Sequence, residues 1–524
     1  MPPYNHLPEQ ENPTSLPQEE PAVKAAAEEI TVLAAGDVAI NATNFPDDNF
    51  RAYLKTLPGG SDGIFTAQEL MELRGIDCSQ RNIQTLKGIE YFTGLTRLYC
   101  QDNNLTTLDV SKNTNLEILC CDSNNLTTLN VNKNTKLVHL QCFSNNLTTL
   151  DVSKNTNLAN LICSSNNLTT LDVSKNTNLE LLWCGHNNLT TLDVSKNTNL
   201  EILWCVHNNL TTLDVRKNTQ LRELGCNNNQ LTSLDVGQNP LLEELYCEEN
   251  QLTSLDISKN TKLILLACPD NQLSVLNTSN NTALKDLICH NNKLTALDTS
   301  NNTELSDFRC YGNQLASLNL DNNKKFTYLS ISPQAITPEA LYREETTVAV
   351  SMAKLVGSAN TSHISFEPFG TQEYNSSTGV FTLTGISKDK ASIFYTYRTV
   401  GANSSPPVAY IMRVELVIPA FAPLQSFTLS HNSFTLEAGK TQQLAIAAYV
   451  PANTTSNKTA SWQSSNTTIA IVSASGVVTA KAAGTATITC TVAGKTQTCS
   501  VTVLGNNVNS FVTRLYQTAM QRTP

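Results

Sequence analysis

From Leu98 to Leu329 the apolar and polar positions repeat as one sentence, L-x-C-x-x-N-N-L-T-T-L-D-V-S-K-N-T-x-L-x-x. Its cysteines mark the beat: Cys100, Cys121, Cys142, Cys163, Cys184, Cys205, Cys226, Cys247, Cys268, Cys289 and Cys310 stand 21 residues apart. A looser copy at Ile76 and Cys78 precedes them, and Leu329-Ser330-Ile331 closes the series without its cysteine. Each unit is two similar halves, as in Leu116-x-x-Leu119-x-Cys121-x-x-Asn124 followed by Leu126-x-x-Leu129-x-Val131-x-x-Asn134. The alternation in L-x-C and L-x-V predicts one short strand per half, giving a coil with two strand-like sides and no room for a helix. The asparagines recur where the chain must turn, where their amides can satisfy backbone groups left unpaired. Stacked coils of this kind build a rod or gentle arc roughly 55–60 Å long.

A fixed period in this range with L-x-x-L-x-C-x-x-N spacing is the mark of a leucine-rich-repeat solenoid. Residues 98–329 are assigned to it. Residues 1–43, rich in Pro, Glu and Ala, read as a disordered leader or linker. Residues 44–97 open with NFPDDNFRAYL at helical spacing and read as a helical cap with the first irregular repeat. Within it, PGGSDGIFTAQEL falls on a calcium loop with Asp62, Gly63 and Glu69 in place. Pro58 and Gly60 stand where carboxylates are needed, so the shape is expected without the metal. Residues 330–422 alternate in short runs such as GVFTLTGI and YIMRVELVI, an all-β sandwich pattern. Residues 424–504 form a second β module with Trp462 as its core tryptophan. Residues 505–524 turn helical and break off as the start of a truncated domain. The fold class is mainly β: a solenoid of 21-residue coils with a helical cap, followed by two β-sandwich modules.

The formal charge of −10 lacks a basic cluster, which argues against nucleic acid. No run of 18 apolar residues predicts insertion into a membrane, and no secretory signal is visible at the start. The 15 cysteines lack the short irregular pairs of disulfide frameworks and zinc sites. They are expected to be buried free thiols, except Cys120, which points to the opposite face and is expected to meet solvent. If the turn at Gly494-Lys495 is a two-residue hairpin, Cys490 and Cys499 stand directly opposed and form a disulfide. No triad, phosphate loop or metal motif is present, so the chain reads as a non-enzyme with no cofactor and no metal.

The LTTLDVSKNTxLexLxC repeats, with NFPDDNFRAYL and LKGIEYFTGLTRLYC, resemble secreted leucine-rich-repeat proteins of Firmicutes, internalin- and BspA-like in style. The W-x-S-S-N, GVVTAKAAGTATIT and VTV runs of 424–504 resemble the bacterial immunoglobulin-like group 2 domain. FVTRLYQTAMQRTP resembles the opening of a small helical domain of secreted bacterial proteins. The resemblance implies display outside the cell, secreted or on its surface, and adhesion to a protein or glycan on host or neighbouring cells. The protein is expected to act as a monomer.

Positions that vary from coil to coil can carry specificity. The outward residue before each cysteine places Trp183 beside Trp204, with Ile162 before them and Tyr246 beyond. His186 and His207 form a second pair, with Phe143 and Val206 nearby, and Glu243, Glu244, Glu248 and Glu249 surround Tyr246. Clustered exposed aromatics mark an interface. Trp183, Trp204, His186, His207, Ile162, Phe143, Val206 and Tyr246 are therefore the candidate ligand-binding residues. On the other side an Asp column from Asp109 to Asp256 runs beside a Lys column from Lys112 to Lys259. It reads as a solvated face whose lysines compensate the stacked carboxylates. The alternatives are a targeting region of a larger secreted enzyme, or a structural spacer whose aromatics only support the sheet.

Overall fold

The computed structural model describes residues 33–505, apart from residue 376 and segments 338–340, 345–346, 357–363, 368–370, 387–390 and 401–408. The expected leader before 33 and the expected helical start after 505 lie outside the described residues. Among the described residues no helix is long and apolar enough to cross a membrane.

The repeats wind into a solenoid whose L-x-C segments form one 13-stranded parallel sheet, from Gly75–Asp77 to Tyr328–Ser330. Every coil pairs in register with the next, mostly leucine on leucine, as Leu182 on Leu203, with Ile76 and Phe308 taking the leucine's place in two coils. The leucines, valines and cysteines of each coil point inward and are almost all fully buried. Each such side chain contributes about 1.5–3 kcal/mol by leaving water. This is why the motif cannot drift.

The second half of each coil differs from expectation. It forms no ladder; one isolated bridge, Asn130 to Asp151, is its only pairing among the described residues. The residues themselves explain this. Asp172 Oδ1 accepts from the Ser174 amide at 2.9 Å, and the Asn176 amide reaches back to Val173 O at 2.9 Å. Two successive turns bend the backbone away from its neighbour. Asparagine side chains then supply the bonds between coils. Asn197 Nδ2 donates to Val173 O and Asn176 O of the preceding coil at 3.0 and 2.8 Å.

The N-terminal cap begins earlier than Asn44. Val38–Ala39 pairs antiparallel with Ile64–Phe65, and Val38 and Ile40 are buried. Helices α1 (Asp48–Leu54) and α2 (Ala67–Glu72) complete it. Tyr53 Oη accepts from the Asp77 amide at 3.0 Å, closing the open edge of the sheet. Glu69, at the last position of the calcium-loop pattern, accepts instead from Thr66 N and Oγ1 at 2.8 and 2.9 Å in a capping box.

The far end is closed by the next module. Gln334 takes the place of the last ladder asparagine and donates to Cys310 O at 2.8 Å. The buried Tyr395 donates to Ala316 O at 2.9 Å. The described residues of this module form two four-stranded sheets and one short helix, Met352–Val356, and share a continuous core with the solenoid. The last module has its own core from Leu424 to Val503, against which the half-buried Trp462 packs.

Candidate functional site

Alternation along each L-x-C strand turns one residue in two outward, and register stacks these residues into rows. Trp183 and Trp204 are paired neighbours with ring centroids 6.4 Å apart and planes tilted by 59°. Trp183 is 40% exposed. Trp204 also meets Tyr246, two coils away, at 5.2 Å. The residue between them explains this reach. A Cβ on Gly225 would lie 2.8 Å from Trp204 Cε3, so only glycine lets the indole lie across the strand. Three aromatic rings thereby form one strip along four coils. Stacked rings gain about 0.5–1.5 kcal/mol beyond their buried area.

Of the other candidates, Ile162 is in register with Trp183 and half-buried. Val206 is buried, packed over Gly185, where a Cβ would sit 2.7 Å from its Cγ2, and serves as support beneath the strip. Phe143 lies two coils before Trp183 and one row across, with no ring contact to the tryptophans among the described residues. His186 and His207 stack at 4.2 Å with planes 19° apart. Both sit in the left-handed region, at φ 52° and 49°, at the corner where each coil leaves the sheet. Burial, then the neighbouring His207, pushes the His186 imidazole below its usual range. No group of three metal-ligating side chains occurs among the described residues.

Beyond Trp204 the face turns acidic. Glu223 and Glu244 stand side by side in register. Glu244 accepts from Tyr246 Oη at 2.8 Å. Burial first, and then this bond and the surrounding carboxylates, push the Tyr246 phenol up. Glu248 is partly buried, and desolvation, with Glu249 beside it, raises its carboxyl. Arg222 is engaged by Glu243 at 2.9 Å and Glu201 at 3.7 Å. Glu248 Oε2, Asn227 Oδ1 and Trp204 Nε1 are buried atoms with no hydrogen-bond partner among the described residues. Buried polar atoms are normally paired; the turn-side asparagine oxygens such as Asn176 Oδ1 and Asn197 Oδ1 are a recurring exception, and these three are further ones on the strand face. Gly225, Glu223 and Asn227 are not among the candidate residues drawn from the sequence. One glycine in a row holding two tryptophans and a tyrosine is the signal that points to them.

Two cysteine expectations are corrected. Cys120 does point outward, yet it is buried. Register sets it between Tyr99 and Gln141, whose longer side chains flank it. Cys490 and Cys499 are free and do not oppose each other; their partners are Gln497 and Ile488. The hairpin turns at Ala493-Gly494, both at positive φ, one residue before the expected turn. That shift moves each cysteine two places along its partner strand. The repeat thiols are buried and free, and burial raises Cys163 and Cys205 to about 12.

Residues 423–503 match the family model of the bacterial Ig-like domain (group 2). Internalin J of Listeria monocytogenes serotype 4b (strain F2365) is 39% identical over 85 residues, 16% of this chain and 9% of internalin J. The chain's match thus spans about a tenth of that relative's length. Among solved structures, the functional domain of InlJ from Listeria monocytogenes, described as including a cysteine ladder, is 30% identical. That match covers 73% of this chain and 98% of that domain, with a TM-score of 0.45. The internalin InlF of Listeria monocytogenes strain 4b F2365 is 24% identical, over 52% of this chain and 84% of its own, with a TM-score of 0.47. With one inward cysteine per 21-residue coil, an 85-residue match to internalin J and the family match over residues 423–503, the chain is an internalin-style leucine-rich-repeat protein that carries a bacterial Ig-like domain (group 2).

Proposed function

We propose that this protein is a non-catalytic recognition and adhesion protein, secreted or displayed at the cell surface. Its outward strand face binds a protein or glycan partner, and the β modules hold that face away from their attachment. The observation that carries this reading is the strip Trp183–Trp204–Tyr246, laid flat over Gly225 on a face that the interior does not dictate. The interior accounts for every inward leucine and cysteine, but for none of these outward aromatics. Large amphipathic rings of this kind anchor interfaces at low entropic cost. Kinship with internalin J supports a surface role.

The test is a binding screen of the chain on host-protein and glycan arrays, run with a Trp183→Ala/Trp204→Ala variant whose folding is checked by circular dichroism. Binding that the folded variant loses supports the reading. Equal binding by both forms places the site elsewhere, and no binding at all favours a spacer.

A further inference from the structure

The acidic end of the aromatic strip has a specific chemical bias. Glu223, Glu244 and Glu248 lie within two adjacent coils, and none has a basic partner among the described residues. Like charges side by side on neighbouring strands are unfavourable. Arg222, on the neighbouring coil, is already committed to Glu243 and Glu201, and Arg309, three coils beyond Tyr246, to Asp307 at 2.6 Å. The patch is also rich in acceptors. Beneath the surface, Asn227 Oδ1 and Glu248 Oε2, on consecutive coils, are buried and accept nothing, which adds to the negative potential, while Tyr246 Oη already donates to Glu244. Such a surface lacks a flat donor-rich cation.

We propose that the patch formed by Trp204, Tyr246, Glu223, Glu244, Asn227 and Glu248 receives an arginine side chain of a polypeptide partner. The guanidinium plane stacks on the Trp204–Tyr246 strip, and its edge donates to the half-buried carboxylates of Glu223 and Glu244. Its five donors in a fixed fork match neighbouring acceptors better than a lysine ammonium can. Gly225 permits the arrangement, because any side chain there would lift the indole away from Tyr246. The inference rests on the strand face being the recognition surface and adds the partner's chemistry.

The test uses the full chain and fluorescently labelled oligoarginine, oligolysine and oligoglutamate peptides, read by anisotropy. The Glu223→Gln/Glu244→Gln/Glu248→Gln variant is compared with a charge-matched control, Glu72→Gln/Glu117→Gln/Glu437→Gln. Oligoarginine is expected to bind several-fold tighter than oligolysine. The patch variant is expected to lose about tenfold in affinity and the control less than twofold. Trp204→Ala should erase the preference for arginine over lysine. Equal weakening of patch variant and control would reduce the effect to the net charge of the chain and overturn the proposal. So would no binding of oligoarginine. If a partner found on the arrays is lost by the tryptophan variant but held at full affinity by the patch variant, the arginine inference falls and the recognition surface stands. If oligoarginine binding survives loss of both tryptophans, stacking on the strip falls and with it the proposed site.

Discussion

The two sides of each coil share one interior and have opposite surfaces. On the turn side the text D-V-S-K-N-T barely changes, and each aspartate is used by its own coil. Asp151, Asp172, Asp193 and Asp256 accept from the serine amide two residues on, and these bonds hold their carboxyls below the usual range. The lysine column contributes little to that shift, and none of its members forms an ion pair among the described residues. The sequence reading of lysine as compensation therefore gives way to turn closure. On the strand side the outward residues follow no fixed text, and carboxyls such as Glu248 and Asp122 are raised by burial. A surface that closes its own hydrogen bonds builds the rod. One whose outward aromatics and carboxyls no coil requires is available to something else.

The sharpest way to break this comparison is through its two asparagine ladders. Asn187, below the strand face, donates to Cys163 O, Cys184 O and Gly185 O and accepts from Leu168 N at 2.9 Å. Asn197, on the turn side, only donates; its Oδ1 is buried without a partner. Asn187→Ala should cost roughly 3–5 kcal/mol and Asn197→Ala about 2 kcal/mol, read from urea denaturation. Equal losses would mean the ladders are equivalent.

Gly225→Val addresses the strand side directly. The added carbons meet Trp204 and Val206, so a loss of roughly 1–3 kcal/mol is expected, with a change in tryptophan emission. A variant with native stability and emission would show that the indole does not depend on glycine.

A smaller effect of opposite sign comes from the unpaired Asn oxygens. Where threonine replaces the ladder valine, Thr278 and Thr299 donate to Asn302 and Asn323 Oδ1 at 2.7 and 2.9 Å. Val173→Thr should do the same for Asn197. It should therefore be neutral or stabilising by up to about 1 kcal/mol, whereas Val501→Thr in the last module should destabilise. A matching loss at both sites would contradict the assignment.

The smallest effect is one of pH. The Glu248 carboxyl is raised in the folded chain, so its ionised form destabilises the fold at neutral pH. That penalty fades as pH falls through the folded value toward 4.5, the ordinary value. Glu248→Gln should raise the urea midpoint at neutral pH, with the advantage shrinking as the solution is acidified. The turn aspartates behave oppositely, losing their contribution only below 3.8. An advantage independent of pH would remove the burial argument.

The period, the inward lines of leucine and cysteine, and the asparagine columns are legible in the sequence because one physical constraint repeats in every coil. The candidate tryptophans are legible for the same reason, as departures from a known grammar. The contact between Trp204 and Tyr246 is not, because it depends on the absence of a side chain at Gly225. The hairpin at Ala493-Gly494 is hidden too, since alanine seldom adopts positive φ. The second strand per coil fails because the Asx turn at each aspartate outweighs the alternation of L-x-V.

The central claim is that the outward aromatics exist for a partner rather than for the sheet. Its most direct measurement is the affinity of the native chain and of the Trp183→Ala/Trp204→Ala variant for a ligand found on the arrays, with urea midpoints of both forms. The account predicts a loss of binding of at least about a hundredfold with a change in stability under about 2 kcal/mol. Unchanged affinity with a large loss of stability would contradict it and make the tryptophans supports of the sheet.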